Sequence, residues 1–127
     1  MAERLIKSLK RFDVEKSLAK TIFISSKMVM MHANDLLDQS IIENGGFIPF
    51  YTDESVNDVI LEIVDLVRMT TVRKRNLKIE FLGKPNRTLV KFDKRRFQQV
   101  LLNLLSNAVK YTIEGVVAVN FLLEKRG

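Results

Sequence analysis

Polar and apolar residues follow one another along the segment 97–112, FQQVLLNLLSNAVKYT, with the spacing of a two-faced helix. Its apolar stripe consists of Phe97, Val100, Leu101, Leu104, Leu105, Ala108 and Val109. Its polar flank consists of Gln99, Asn103, Asn107 and Lys110. At about 100° per residue, the polar set falls within roughly 40° of Asn103, and the apolar stripe centres near 140°. A core helix does not need such a flank, whereas a helix that holds a metal–phosphate group could use it.

A second apolar pattern predicts a long helix near the start of the chain. Residues 1–12 read as a short amphipathic lead. Asp13 is expected to cap a helix that runs from Val14 to about Glu43, where the glycine pair 45–46 stops it. Its stripe consists of Leu18, Ile22, Val29, Ala33, Leu36 and Leu37. A helix of about 30 residues usually buries its stripe against a partner helix. Because the sequence offers no obvious partner, we expect this stripe to lack one or to find it in another chain.

Helix and strand patterns alternate in the remainder of the chain. Residues 47–51 are expected to form a short extended piece. Thr52 or Asp53 is then expected to cap a second helix. The apolar face of that helix consists of Val56, Val59, Ile60, Ile63, Val64 and Val67. The basic run 73–75 should end it, and Asn76 is a candidate left-handed stop.

Three strands are predicted after the second helix, over residues 77–81, 88–92 and 116–123. Turns are predicted at 83–87 and 114–115, and Asp93 is expected to cap the helix over 97–112. The order of elements predicts an α+β chain: a long helix, then an α/β sandwich with helices on one side of a sheet.

Composition excludes several classes of protein. The chain has 127 residues, of which 46% are hydrophobic, so it can form one modest domain with a packed core. It has no cysteine, which excludes disulfides and thiolate metal sites. No apolar run approaches the roughly 20 residues of a membrane span, and the charged first residues do not resemble a signal peptide. The chain as given is therefore expected to be soluble.

The net charge of +6 is placed unevenly. Eleven Lys or Arg but only two acidic residues occur between Arg68 and Arg96. A nucleic-acid site would use such a charge. However, the basic residues are spread over a helix end, a strand and two loops, without aromatic residues between them for stacking on bases. We therefore interpret the charge as solvated surface and expect no nucleic-acid partner.

Four stretches of the sequence resemble sensor histidine kinases. Residues 103–112, NLLSNAVKYT, resemble the N-box of their GHKL-type ATP-binding domain, and residues 92–105 resemble the lead-in to that box. Residues 33–45, ANDLLDQSIIENG, resemble the end of the second helix of the dimerisation hairpin. Residues 55–81 resemble the first helix and strand of the ATP-binding domain.

The resemblance covers roughly residues 13–123 and implies a division of the chain. Residues 1–45 would be the second helix of a dimerisation hairpin with its lead-in. Residues 46–127 would be the N-terminal half of the ATP-binding domain, which makes the fold a long helix followed by a truncated GHKL-type α/β sandwich.

The resemblance also implies roles for three residues of the polar flank and for Tyr111, which follows Lys110. Asn107 would ligate Mg²⁺ through its amide oxygen, and Asn103 would support the same metal–phosphate cluster. Lys110 would neutralise phosphate charge, and Tyr111 would lie beside the ATP. Hydrolytic GHKL ATPases carry a Glu where this chain has Asn103. An amide cannot act as the general base that activates water, so the sequence is similar to the kinase branch.

Other parts that the family needs are not in this sequence. A histidine kinase phosphorylates a histidine inside a His-Glu-x-x-Thr-Pro pattern, but the only histidine, His32, is followed by Ala-Asn-Asp. Its aligned position is the second hairpin helix, so we expect a packing or interface residue there. The adenine-binding Asp-x-Gly-x-Gly box and the ATP lid are also absent, since Gly115 and Gly127 are the only glycines after Gly83. No catalytic residue is assigned.

Two functional hypotheses follow from these matches and departures. The first is a fragment of a sensor histidine kinase that acts in phosphorelay signal transduction. Its parent would phosphorylate a histidine with ATP and pass the phosphoryl group to a response-regulator receiver domain, whereas the fragment alone is expected to be inactive. The alternative is a truncated, non-catalytic regulatory or dimerisation partner of a full-length kinase, paired through the helix 14–43. A gene remnant without activity is a third reading. We expect a location on the cytoplasmic side, whether or not the parent is membrane-anchored.

Overall fold

The computed structural model describes residues 1–71, 74, 76–84 and 87–124. Its first element is one continuous helix, α1, Ala2–Glu43. The prediction that a separate helix begins at Val14 was therefore wrong, and Asp13 lies inside α1 rather than at its cap. No proline or glycine interrupts the helix, and Arg11 pairs with Glu15 one turn on, at 3.0 Å from Nε to Oε1. At about 1.5 Å per residue, α1 is about 60 Å long.

The end of α1 lies where the sequence predicted it. Asn44 donates its backbone N–H to the carbonyl oxygen of Ser40, and Gly45 donates to Ile42. Gly45 has a φ of 73°, the left-handed conformation that favours glycine at a helix end.

The face that α1 turns toward the rest of the chain differs from the predicted stripe. Ile24 and Asp38 are its buried residues, and Met28, Met31 and Asp35 between them are partly buried. The predicted stripe is exposed, as expected for a stripe without a partner in this chain: Leu18, Ile22, Val29, Ala33, Leu36 and Leu37. The helix therefore has a covered face, which mixes apolar residues with Asp35 and Asp38, and an uncovered face, which is the predicted apolar stripe.

The first strand begins later than predicted. No strand forms over residues 47–51, and β1 is Thr52–Ser55. Thr52 pairs with Phe92 and Ser55 with Leu89 in an antiparallel ladder, so Thr52 and Asp53 are held extended and do not cap the next helix. Ser55 is the N-cap of α2, Val56–Thr70, and its Oγ accepts from the backbone N–H of Asp58 at 3.4 Å.

The chain leaves α2 by hydrogen-bonded turns. Thr71 donates its N–H to the carbonyl of Arg68, and Lys74 donates its N–H to the carbonyl of Thr71. Asn76 is not a left-handed stop, because no described residue other than glycine has a positive φ. Most of the predicted basic run 73–75, and residues 85–86 of the predicted turn, lie outside the described residues.

The remaining elements are β2 (Leu77–Phe81), β3 (Leu89–Phe92), α3 (Lys94–Tyr111) and β4 (Gly115–Val119). β1 pairs with β3 antiparallel, and β2 pairs with β4 in parallel, with Leu77 opposite Gly115 and Phe81 opposite Val119. Within the described ranges the strands thus form two two-stranded ladders rather than the single predicted sheet. β4 ends at Val119, not at residue 123, because its partner β2 ends at Phe81.

The hydrophobic core lies between α2, α3 and the β2–β4 ladder. Its buried residues are Ile60, Ile63, Val64, Val67, Ile79, Leu102 and Leu105. The predicted fold class is confirmed: an α+β chain with a long N-terminal helix followed by small strands and helices. None of the helices in the described part combines the length and apolar character that a membrane crossing needs. The predicted domain boundary after residue 45 stays a prediction.

Candidate functional site

Helix α3 begins where the sequence predicted, at a cap made by Asp93. The Oδ1 atom of Asp93 accepts from the backbone N–H of Arg96 at 3.2 Å, and its Oδ2 accepts from the N–H of Phe50 at 2.9 Å. Burial raises the pKa of Asp93, but the two backbone hydrogen bonds and the charges of Arg96 and Arg95 outweigh it and leave the pKa lowered. The carboxylate is therefore ionised at neutral pH and fixes both the linker and the first turn of α3.

The packed face of α3 is rotated from the predicted one. Leu102 and Leu105 are buried, so the packed face centres near 230° from Asn103 at about 100° per residue, not near 140°. Val100 and Leu104, predicted in the stripe, are 59% and 63% exposed. The reason is that α2 and the β2–β4 ladder cover only one side of α3. Leu102, which the sequence pattern missed, points to that side.

The outward side of α3 carries the four residues to which the resemblance gives a role, whereas Gln99 of the predicted polar flank is partly buried. Asn103, Asn107, Lys110 and Tyr111 are exposed, and we call these four residues the Asn flank. The Nζ atom of Lys110 lies 5.4 Å from the ring centroid of Tyr111. In the part of the chain that the structure describes, neither asparagine side chain has a hydrogen-bond partner. Both amides are thus free to meet a ligand.

The chemistry of the Asn flank suits a metal that brings its own ligands. Amide oxygens are hard donors, which Mg²⁺ accepts beside water and phosphate oxygens. The described residues contain no group of three or more His, Cys, Asp or Glu that could hold a metal by themselves. A magnesium ion would therefore be held here together with phosphate, not in an all-protein cage.

The last turn of α3 is held by a lysine from the segment between α2 and β2. The Nζ atom of Lys74 donates to the carbonyl oxygen of Val109 at 2.6 Å and to that of Thr112 at 3.3 Å. These carbonyls belong to the end of the helix, where they lack intrahelical partners and the dipole favours a cation. Sequence reasoning missed this contact, because no local pattern joins residues 35 positions apart.

A cavity of about 530 Å³ lies at the opposite end of α3. It is lined by Ile48, Phe50, Thr52, Glu54, Asp93, Lys94, Arg95, Arg96 and Gln98. None of the Asn flank residues lines it. The predicted site is consequently an open helix face and not a closed pocket.

His32 lies on the exposed side of α1. Its side chain is 64% exposed, and Nδ1 lies 3.7 Å from Oδ2 of Asp35. The expectation of a packing role is wrong within this chain, because no core surrounds the ring. An interface role stays a prediction.

A cluster of charges that sequence reasoning missed joins α1 to the start of α3. Asp38 is 5% exposed, and its Oδ1 lies 3.0 Å from Nη2 of Arg95. Its Oδ2 lies 3.1 Å from Nη1 of Arg96, whose Nε also lies 3.2 Å from Oδ2 of Asp93. The only available sequence signal was an aspartate in a face of methionines, Met28 and Met31, at helical spacing.

Comparison with known proteins gives relatives of one kind. The chain is 38% identical over 103 residues to the cell-division control histidine kinase PdhS of Brucella anthropi, and the same figures hold for PdhS of Brucella canis and Brucella ovis. Its homologues are histidine kinases. The match covers 81% of this chain and 10% of each PdhS, so the chain corresponds to about a tenth of these kinases. No family model matches the chain.

The fold has a solved counterpart among histidine kinases as well. The Acinetobacter baumannii histidine kinase AdeS matches with a TM-score of 0.61 and 24% sequence identity. The match covers 76% of this chain and 48% of the AdeS chain. This likeness concerns the arrangement of helices and strands, and it agrees with the α+β class.

Proposed function

We propose that this chain is part of a sensor histidine kinase, and that the Asn flank forms the magnesium and phosphate side of its ATP site. One observation carries the proposal: two exposed asparagines without described partners share one helix face, in a chain whose homologues are histidine kinases. Exposed Val100 and Leu104 border the same face, which suits a surface that a ligand or a further segment covers.

Each residue of the Asn flank has a distinct role in this proposal. The amide oxygen of Asn107 ligates Mg²⁺, and Asn103 supports the same metal–phosphate cluster, while water and phosphate supply the remaining ligands. Lys110 supplies a point charge to the phosphates. Tyr111 lies beside the nucleotide, and the neighbouring Lys110 ammonium keeps its ring close to the phosphate end. The GHKL-type arrangement of the ATP-binding domain is part of the same proposal.

Asn103 makes the site a phosphoryl-transfer site rather than a hydrolytic one. Water attack on ATP needs a group that accepts a proton, and a side-chain amide cannot accept it. In the proposed parent, the phosphoryl group passes from ATP to a histidine and then to an aspartate of a response-regulator receiver domain. His32 is not assigned as that acceptor, because it lies on α1 outside any His-Glu pattern.

Calorimetric titration of the chain with Mg-ATP tests the nucleotide site. We expect a saturable heat that is lost in Asn107→Ala and retained in Asn120→Ala, a matched exposed asparagine that follows β4. A wild-type signal that equals that of Asn107→Ala would contradict the proposal. Repeating the titration with ATP and EDTA separates the metal-dependent part, which should vanish.

A second candidate function is supported by the exposed stripe of α1. Leu18, Ile22, Val29 and Leu36 are between 57% and 70% exposed and recur along one side of the helix. Such a stripe suits pairing with a helix of another chain, so the alternative is a non-catalytic regulatory or dimerisation partner of a histidine kinase. This alternative predicts association through α1 without Mg-ATP binding. Light scattering after size exclusion measures the association, and a monomer at high concentration would count strongly against this alternative.

A further inference from the structure

Asp38 is the one charged residue that α1 buries. Of the 42 residues in this helix, the structure buries only Ile24 and Asp38. A buried carboxylate is costly unless it is paired and hydrogen-bonded. Asp38 meets this requirement entirely with groups from α3, since Arg95 Nη2 lies 3.0 Å from Oδ1 and 3.3 Å from Oδ2, and Arg96 Nη1 lies 3.1 Å from Oδ2.

Arg96 carries the contact further into the chain. Its Nε pairs with Oδ2 of Asp93, the cap of α3, and its guanidinium lies 3.9 Å above the ring of Phe47 in the linker. The planar guanidinium thus contacts two carboxylates through different nitrogens and an aromatic face at the same time, which Lys could not do. Asp93 also holds the N–H of Phe50. The end of α1, the linker and the first turn of α3 therefore meet at one side chain.

α1 also faces the end of α2, nearer to its own N-terminus. Ile24 and Met28 line a cavity of about 590 Å³ there together with Met69 and Thr70, and the other residues that line it are polar and belong to α1. The cluster at Asp38, by contrast, joins named atoms of α1 and α3 at 3.0 to 3.3 Å. Charged hydrogen bonds of this kind add geometric specificity to a contact.

We propose that Asp38 is a positioning residue: it holds Arg95 and Arg96 so that α3, and with it the Asn flank, has one orientation relative to α1. A change in the position of α1 then alters the position of the Asn flank through the first turn of α3. A ligand that binds the Asn flank in turn alters the position of α1, since coupling between two sites is reciprocal. The coupling to a bound ligand rests on the proposed nucleotide site, whereas the role of Asp38 in orienting α3 relative to α1 does not.

The orientation can be measured directly because the chain contains no cysteine. Spin labels at Ala33→Cys on α1 and Lys91→Cys on β3 occupy exposed positions, and pulsed electron paramagnetic resonance gives their distance distribution. We expect a narrow distribution in the wild type and a clearly broader one in Asp38→Asn. Glu43→Gln is the matched control, because Glu43 lies on the same helix end and contacts Gln39 rather than the arginines. Its distribution should equal that of the wild type.

Mg-ATP affinity supplies the second measurement. We expect Asp38→Asn and Arg96→Gln each to weaken binding by about five-fold or more. The double variant should lose less than the sum of the two single losses, because both changes remove the same Asp38–Arg96 pair. Additive losses from the two changes would overturn the coupling. Glu43→Gln should bind as the wild type does.

The outcomes separate this inference from the proposed function. If Asp38→Asn and Glu43→Gln give the same narrow distance distribution, the positioning role of Asp38 is wrong, whatever the chain binds. If Asp38→Asn broadens the distribution but the wild type does not bind Mg-ATP, the positioning role stands and the nucleotide site is wrong. Where Asp38→Asn fails to fold by circular dichroism, Arg95→Gln replaces it, because the Arg95 side chain is 56% exposed. It should broaden the distribution, and a narrow one would contradict the inference.

Discussion

The ammonium of Lys74 and the carbonyl oxygen of Val109 form a 2.6 Å hydrogen bond between the segment that leaves α2 and the last turn of α3. The same ammonium donates to Thr112, so one side chain satisfies two carbonyls at the helix end. Lys110 and Tyr111, which belong to the Asn flank, lie between Val109 and Thr112 in sequence. The end of the proposed ATP site is thus held by a residue of the segment that joins α2 to β2.

Replacing Lys74 with Met should loosen the last turn of α3. The lost interaction is worth about 0.3–1 kcal/mol for a cation at an exposed helix C-terminus. Amide hydrogen exchange at residues 110–112 should become several-fold faster, whereas exchange at residues 101–105 should not change. Lys74→Arg keeps the charge and should largely restore protection. Equal exchange in wild type and Lys74→Met would show that the contact does not order the turn.

The capping carboxylate of Asp93 should make stability depend on pH in the acid range. Its pKa is lowered below the ordinary value of 3.8 for an aspartate, so its contribution to stability is fully present above that value and is lost as the pH falls through the folded-state pKa. Asp93→Asn keeps a good cap without the charge. In urea unfolding, wild type should be more stable than Asp93→Asn at pH 7, and the difference should shrink as the pH falls below 3.8 and through the lowered pKa of Asp93. A difference that does not change with pH over the whole acid range would exclude the charge as its cause.

Loss of the cap itself is measured by a second substitution at the same residue. Asp93→Ala removes both the charge and the acceptor for the N–H of Arg96, and it should cost about 1 kcal/mol relative to Asp93→Asn at neutral pH. The same urea titrations give this value. An alanine variant as stable as the asparagine variant would mean that the α3 cap contributes nothing.

Two isoleucines provide a matched test of the core. Ile60 is 2% exposed within the cluster between α2 and α3, whereas Ile113 is 88% exposed. Ile60→Val should lower the free energy of unfolding by about 0.5–1.5 kcal/mol, because a buried methylene is lost. Ile113→Val should change it by less than about 0.5 kcal/mol. Similar effects of the two changes in thermal unfolding would contradict the described core.

We expect that substitutions in the exposed stripe of α1 leave the fold intact. Ile22 and Leu36 are 68% and 70% exposed, so Ile22→Lys with Leu36→Lys should leave the free energy of unfolding nearly unchanged per chain. If the stripe pairs with another helix, the variant should be a monomer where the wild type associates. Sedimentation velocity at several concentrations shows this. Ile24→Lys is the contrasting variant. Because Ile24 is buried, this substitution should destabilise the chain.

Much of the fold could be predicted because it depends on local patterns. The apolar face of α2 is buried at Val59, Ile60, Ile63, Val64 and Val67, as its helical spacing indicated. Alternation placed β2, and an aspartate before a helical pattern placed the cap of α3. Gly45 ended α1 because its backbone takes a conformation that few other residues adopt. Each of these features is decided within a few residues of chain.

The errors occurred where a distant segment decides the structure. Thr52 and Asp53 are good caps by composition, but pairing with β3 holds them extended and leaves capping to Ser55. Val100 and Leu104 fit an apolar stripe, but nothing in the described chain covers that side of α3. Asp13 is a local exception: it fits a cap, but residues 2–12 directly before it continue the same helix.

The sequence by itself determined most of the helices and strands, the class of fold and the aligned polar flank of α3, because helical and strand periodicity are properties of neighbouring residues. It also carried the resemblance to histidine kinases. Only the tertiary structure decided which side of α1 and of α3 is covered, and that Asp38 is buried against Arg95 and Arg96. The physical reason is that burial and charge pairing depend on segments far apart in the chain, and a local pattern contains no information about which of them will meet.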